Sequence, residues 1–304
     1  MAVPPGPGGT SEQASPPTCF RHPGRETYVS CVRCGRHACP DCLRSAAVGQ
    51  QCVECVREGN RGVRTAGAVF GGRATASAVV TWTLVGINIA LYIVEFARPG
   101  LANDWGMLGQ ARFSANGSLQ GVAQGQWYRL ITSAFLPPPG LSSLGPLDIV
   151  FNMWALILVG PQLERLLGRL RYLTVYLVSA VGGSVMFFVI GPPNVLALGA
   201  SGAIFGLFGA WFVVARRLRL DSRWIVMVLL LNLFIGFVGH SLIAWQAHLG
   251  GLLAGGLLTA AYAYAPQQPP RTRALVQGAA TAAMIVLLLV AVMIRDHQLA
   301  AALS

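Results

Sequence analysis

The sequence predicts an all-α polytopic membrane protein preceded by a small Cys/His domain, and three observations carry that expectation. Of the 304 residues, 54% are hydrophobic and only 11% charged, with a mean hydropathy of +0.57. That balance fits a multispan membrane protein and excludes an ordinary soluble domain. Apolar segments then recur at about 77–96, 147–163, 172–190, 201–215, 224–239, 242–264 and 274–294. At 1.5 Å per helical residue, such lengths suit a hydrocarbon layer of roughly 30 Å. The fourth is short, which makes sense if it opens below the membrane surface, behind an inward-dipping loop GPPNVLALGA. Finally, all seven cysteines lie between Cys19 and Cys55, outside every apolar segment.

These features divide the chain. Residues 1–17, rich in Pro and Gly, read as a disordered leader; 18–58 form the Cys/His module; 59–76 make a Gly/Arg linker. Residues 77–264 hold a six-helix core, and 274–294 a seventh transmembrane helix. The first 60 residues contain no apolar run, so no signal peptide is expected and the N-terminus stays cytoplasmic.

All 22 basic residues are Arg, and the net charge is +11. They sit at the ends of apolar segments, where they set topology, so no nucleic-acid partner is expected. Arg165, Arg169 and Arg171, then Arg216, Arg217, Arg219 and Arg223, then Arg271 and Arg273, mark inner loops. The turns at 191–200 and 239–241 carry no arginine and read as outer. The expected topology has seven spans, the N-terminus inside and the C-terminus outside. The Gly, Ala and Arg bias suggests a GC-rich genome, and the expected location is a bacterial plasma membrane.

In the N-terminal module, Cys19 and His22, Cys31 and Cys34, Cys39 and Cys42, and Cys52 and Cys55 form four pairs of identical spacing. Eight soft ligands in a cytoplasmic segment suit two tetrahedral Zn2+ ions better than disulfides. The short gap between Cys34 and Cys39 favours interleaving: pairs one and three on one ion, pairs two and four on the other. His37 is an alternative ligand. This pattern resembles a B-box-type zinc finger. Its expected role is structural, with a cytosolic protein partner, because closed sites of this kind stabilise folds too small for their own core.

Polar residues inside spans are costly and each needs a reason. Asn152, Ser201 and His248 lie near the starts of the second, fourth and sixth spans, all entering from the outer side. Asn152 and His248 fall about 7–10 Å below their helix starts. A hydroxyl, an imidazole and an amide at one depth can perform acyl transfer. Serine needs a base within hydrogen-bond reach, and His248 supplies it. The Ser201 backbone N–H at a helix N-terminus and the Asn152 amide can stabilise an oxyanion. No carboxylate is placed to orient the histidine, so a Ser201–His248 dyad is expected, with no cofactor for catalysis. Blander readings stand beside this one. Gly202, Gly206 and Gly209 suit close helix packing, as do Gly251 and Gly255 after His248. His248 and Asn152 can be interhelical hydrogen-bonding groups, and His240, in a short turn, is a rival base. A transporter would want internal repeats or embedded charges, and beyond Asp148, Glu95 and Glu164 there are none.

In order, GQWYRLITSAF with Trp127 and Arg129, FNMWAL with Asn152, LERLLG with Glu164 and Gly168, GASGAIFGLFGA with Ser201, NLFIGF with Asn232, and AWQAHLGGLLAG with His248, Gly251 and Gly255 resemble the rhomboid family of intramembrane serine proteases. The resemblance implies a rhomboid-like six-helix bundle plus one C-terminal helix. It implies cleavage of transmembrane protein substrates in the lipid bilayer, from a site open to the outer side. Ser201 would be the nucleophile, His248 the general base and then acid, with Asn152 and the Ser201 backbone at the oxyanion. One position departs from the family, which usually carries His four residues before this Asn; here Asp148 stands, in PLDIVFN. An ionised carboxylate only accepts hydrogen bonds, and only a protonated Asp148 could serve the oxyanion. The preceding FLPPPG also differs from the usual FLH. A catalytically weak rhomboid-like protein that binds or escorts membrane helices is therefore the alternative.

Overall fold

The structure, a computed structural model, describes residues 15–61, 67–98, 100–113, 117–138, 145–238 and 244–301. The chain forms two compact units, 1–65 and 66–304.

The first unit has little beyond its cysteines to bury. Strands β1 (Thr18–Cys19) and β2 (His22–Glu26) pair antiparallel, as do β3 (Leu43–Ser45) and β4 (Gln50–Cys52), with Leu43 opposite Cys52. A 3-10 turn, Pro40–Cys42, and a helix α1 (Val53–Arg61) complete it. Among the described residues the buried cluster consists of Cys19, Cys31, Cys39, Cys42, Cys52 and Cys55 with Ala38 and Leu43, and Phe20 packs against it half-buried. Hydrophobic burial on this scale cannot stabilise a domain unaided.

The second unit is helical: α2 (Val79–Ala97), α3 (Leu101–Trp105), α4 (Arg129–Thr132), α5 (Gly145–Leu167), α6 (Arg169–Ile190), α7 (Ser201–Leu218), α8 (Arg223–Val238), α9 (Trp245–Tyr264) and α10 (Pro270–Ala301). Among the described residues, five of these are long and apolar enough to cross a membrane: α2, α5, α6, α7 and α10. The chain is an integral membrane protein. The sequence expectation of seven spans also includes α8 and α9. In α8 the apolar stretch among the described residues covers Arg223–Asn232. Helix α9 has 20 residues, but five of its positions are Gly250, Gly251, Gly255, Gly256 and the polar His248. It can be less apolar because protein surrounds it: its most extensive contacts are with α7 and α6. Helices α7 and α10 run longer than the sequence suggested, ending at Leu218 and Ala301.

Helix α7 is central, 67% buried along its apolar window, whereas α10 is peripheral at 11%. Small residues set that centre. A β-carbon on Gly251 would overlap the Gly202 carbonyl, and one on Gly209 would lie 2.6 Å from the Leu252 carbonyl oxygen. The backbones of α7 and α9 therefore touch, as a membrane bundle lacking a hydrophobic drive between helices requires.

Two charged residues brace this frame. Glu164, fully buried near the end of α5, accepts from the backbone N–H of Val80 (3.1 Å) and Thr81 (2.9 Å) and from the Thr81 hydroxyl (2.9 Å). A carboxylate on the unsatisfied N–H groups opening α2 satisfies both partners. Arg129, also fully buried, donates to the carbonyls of Asn103 and Gly106 (both 2.8 Å) and to Gln126 Oε1 (2.7 Å), which fixes the long α2–α5 connection. That connection holds the loop before α7 through reciprocal bonds between Met107 and Ala197 (2.9 and 2.8 Å).

Candidate active site and metal centre

The loop 191–200 delivers the chain to Ser201 through Gly199, whose φ of +124° is a conformation that side chains rarely adopt. The Gly199 N–H donates to the Ser133 carbonyl (3.1 Å), and Ala200 caps the helix that Ser201 begins. Ser201 is thus the first helical residue, and its own N–H has no partner within the helix. Across the α7–α9 contact, His248 Nε2 lies 2.8 Å from Ser201 Oγ. The imidazole stacks on Phe205, with ring centroids 4.2 Å apart and planes 6° from parallel. Phe205 sits one turn after Ser201 on the same face of α7, so a single helix presents both the hydroxyl and the platform for the ring it faces.

Asp148 and Asn152 belong to α5, one turn apart and on one face. Asn152 is buried, and its side chain lies within hydrogen-bonding reach of the Asp148 carboxylate. A β-carbon built on Gly199 would lie 3.5 Å from Ser201 Oγ and 3.6 Å from Asp148 Oδ2. The Asp148 carboxylate and the Ser201 hydroxyl therefore flank the same glycine. Ser201, His248 and Asp148 converge at the start of α7, and Asn152 stands one turn behind Asp148. His240 lies outside the described residues. Phe205 and Gly199 were not singled out by sequence reasoning. The signal for Phe205 was present, an aromatic four residues after Ser201, but only the α7–α9 contact reveals what it touches.

In the first unit, the ligand atoms fall into two groups: Cys19, His22, Cys39 and Cys42, and Cys31, Cys34, Cys52 and Cys55. Within each group they lie within 4.8 Å of one another. His22 Nδ1 is 3.4 Å from both Cys39 and Cys42 Sγ and 3.7 Å from Cys19 Sγ, and Cys34 and Cys52 Sγ are 3.8 Å apart. A tetrahedron with Zn–S near 2.3 Å and Zn–N near 2.1 Å has edges of about 3.5–3.8 Å, so donor chemistry and spacing both fit zinc. The pairing is the interleaved one, and His37 belongs to neither group.

Arg36 lies over the Phe20 ring (4.3 Å), donates to Glu54 (2.7 Å), and points Nε at Cys34 Sγ (3.4 Å). That guanidinium, together with a backbone N–H of the same residue, holds the Cys34 thiol below its usual value and favours the ligating thiolate. The Cys52 N–H donates to Cys31 Sγ (3.2 Å), a bond that further spreads thiolate charge.

Known proteins resemble the helical part of this chain. The rhomboid domain family model matches residues 124–265. The rhomboid protein YdcA of Bacillus subtilis is 39% identical over 153 residues, covering 49% of this chain and 73% of YdcA. The rhomboid protease AarA of Providencia stuartii is 26% identical over 220 residues, covering 62% of this chain and 74% of AarA. The rhomboid protease GluP of Bacillus subtilis is 37% identical over 145 residues, covering 46% of this chain; the chain spans only 27% of that relative. With a serine and a histidine joined across two helices packed backbone to backbone, and a relative matched over most of its length, this chain belongs to the rhomboid family.

Proposed function

We propose that the protein is an intramembrane serine endopeptidase that cleaves transmembrane segments of membrane proteins through a Ser201–His248 dyad. The observation that carries this is the 2.8 Å approach of His248 Nε2 to Ser201 Oγ at the N-terminus of α7. Ser201 Oγ attacks the scissile carbonyl carbon while its proton passes to His248 Nε2. The negative charge gathers on the carbonyl oxygen, where the Ser201 N–H and the Asn152 amide are the donors and the positive end of α7 adds its field. Collapse breaks the C–N bond, and the imidazolium returns its proton to the leaving amine. Water, deprotonated by His248, then frees the acyl group from Ser201. Stacking on Phe205 fixes the imidazole plane without a carboxylate partner. The N-terminal unit takes no part in this chemistry: it holds two structural Zn2+ ions and offers a surface to a cytosolic protein. The N-terminus lies in the cytoplasm, and the site opens to the opposite side.

Asp148 supports a second reading. A carboxylate beside Gly199 and Ser201 Oγ opposes a developing oxyanion, which favours a weakly active protein that binds or escorts membrane helices. Labelling with a fluorophosphonate, together with cleavage of a single-span substrate in liposomes, separates the two. The protease labels at Ser201, and Ser201→Ala and His248→Ala abolish both signals. Equal cleavage by those variants, or a parent that neither labels nor cleaves, overturns the protease reading.

A further inference from the structure

We propose that Arg171 and Arg273 form a binding site for the phosphate of an anionic phospholipid headgroup, at the end of the bundle where α6 and α10 begin. The two helices run side by side from that end, and Gln277 of α10 ties them: it accepts from Arg171 Nε (2.6 Å) and donates to the carbonyls of Phe70 (2.9 Å) and Tyr262 (3.0 Å). The tight loop Ala68–Gly72 lies against them, closed by Ala68 N–H to Gly72 O (3.0 Å). Both guanidiniums converge on Gly71 of this loop. A β-carbon there would lie 3.0 Å from Arg171 Nη2 and 3.4 Å from Arg273 Nε. Two like charges thus face one point, yet among the described residues neither arginine is in an ion pair. The neighbouring acid, Glu164, is committed to the N-terminus of α2 and to Arg169 (3.8 Å).

The hydrogen-bond inventory is also incomplete. Arg273 donates Nη2 to the Val69 carbonyl (2.9 Å), but its Nε is shielded from solvent and has no acceptor. Among the described residues, the Nη groups of Arg171 and Nη1 of Arg273 likewise meet no protein acceptor. A half-buried guanidinium with a shielded, unpaired Nε, beside a second half-buried guanidinium, is an arrangement that a tetrahedral oxyanion completes, because each fork matches two phosphate oxygens. Position selects the source. Arg165, Arg169, Arg216, Arg217, Arg219 and Arg271 lie at or near helix ends that share this end of the bundle, the interfacial belt where anionic headgroups reside. This inference is independent of the catalytic reading.

The test uses the full chain, purified in detergent, stripped of lipid and exposed to phosphatidylglycerol, phosphatidylcholine or inorganic phosphate, with retention read by native mass spectrometry. At about fivefold per arginine, the parent retains phosphatidylglycerol roughly 25-fold over phosphatidylcholine. Arg273→Gln loses about fivefold of that preference and the double variant R171Q/R273Q loses nearly all. The double lysine variant R171K/R273K keeps a charge at both positions and retains part of the preference, which separates anion binding from a folding defect. Arg165→Gln, exposed at the same end but outside the pair, loses less of the preference than Arg273→Gln. Equal retention of the two lipids by the parent, or an undiminished preference in R273Q and R171Q/R273Q, overturns the site. Inorganic phosphate displacing phosphatidylglycerol at equal concentration overturns the lipid as its source.

Discussion

The two units hold reactive side chains in place by opposite means. In the first, eight candidate ligands converge inside about 40 residues, and the apolar core around them among the described residues is little more than Ala38, Leu43 and part of Phe20. Order there would come from bonds to metal. In the second, Ser201 and His248 are 47 residues apart and meet because α7 and α9 touch through glycine. Order there comes from the absence of side chains. The comparison teaches that a small domain can specify a site by ligand spacing, whereas a membrane bundle specifies one by what it leaves out.

Stripping zinc is the largest break in the comparison. Chelation, or Cys39→Ser together with Cys52→Ser, should unfold the first unit, since zinc in such sites contributes on the order of 10 kcal/mol. Hydrogen exchange should show protection lost across β1–β4 and α1 while α6, α7 and α9 keep theirs. Retained protection in the first unit after chelation would mean that its few apolar residues suffice.

Next in size is Gly251→Ala, which sets a methyl against the Gly202 backbone. Overpacking a rigid contact costs about 3 kcal/mol. The thermal midpoint in detergent should fall, and fluorophosphonate labelling of Ser201 should drop with it, because the same contact aligns the dyad. A variant as stable and reactive as the parent would show that the α7–α9 approach is not what positions His248.

Asp148→His sharpens the comparison in the other direction. Replacing an acceptor with a donor beside Ser201 should raise the cleavage rate, by up to about 10²-fold if an oxyanion contact is restored. The gain should appear in kcat with little change in KM. A fall in rate would assign Asp148 a positive role at the site.

The smallest expected effect is at Phe205. Phe205→Leu keeps the bulk but removes the flat platform under His248, worth about 1 kcal/mol for a stacked pair. A roughly fivefold loss of kcat with an unchanged thermal midpoint is expected. A loss of midpoint without a change in kcat would make Phe205 a packing residue only.

Much of this architecture is legible in the sequence, and the reasons are local. The four Cys/His pairs repeat one spacing, so the donor set can be read directly. The apolar runs give α2, α5, α6, α7 and α10 because hydrocarbon demands about 20 apolar residues in series. Helix α9 blurs that rule, since a helix surrounded by protein need not satisfy lipid. The polar residues Asn152, Ser201 and His248 stand out because each is expensive in an apolar segment. Their partners do not stand out. Nothing in the order of residues joins Phe205 to His248, Glu164 to the N-terminus of α2, or Arg171 to Arg273, because each contact spans more than 40 positions and depends on how helices cross.

The sequence by itself determined the membrane class, the metal-ligand set and the short roster of polar residues able to do chemistry, because composition, spacing and hydropathy are properties of neighbouring residues. Only the tertiary structure decided that His248 Nε2 reaches Ser201 Oγ at 2.8 Å and that the Asp148 carboxylate flanks the same Gly199. It alone brought two arginines together with no acid paired to either among the described residues. The physical reason is that hydrogen bonding and charge act over a few ångströms, and helix packing, not chain order, sets which groups come that close.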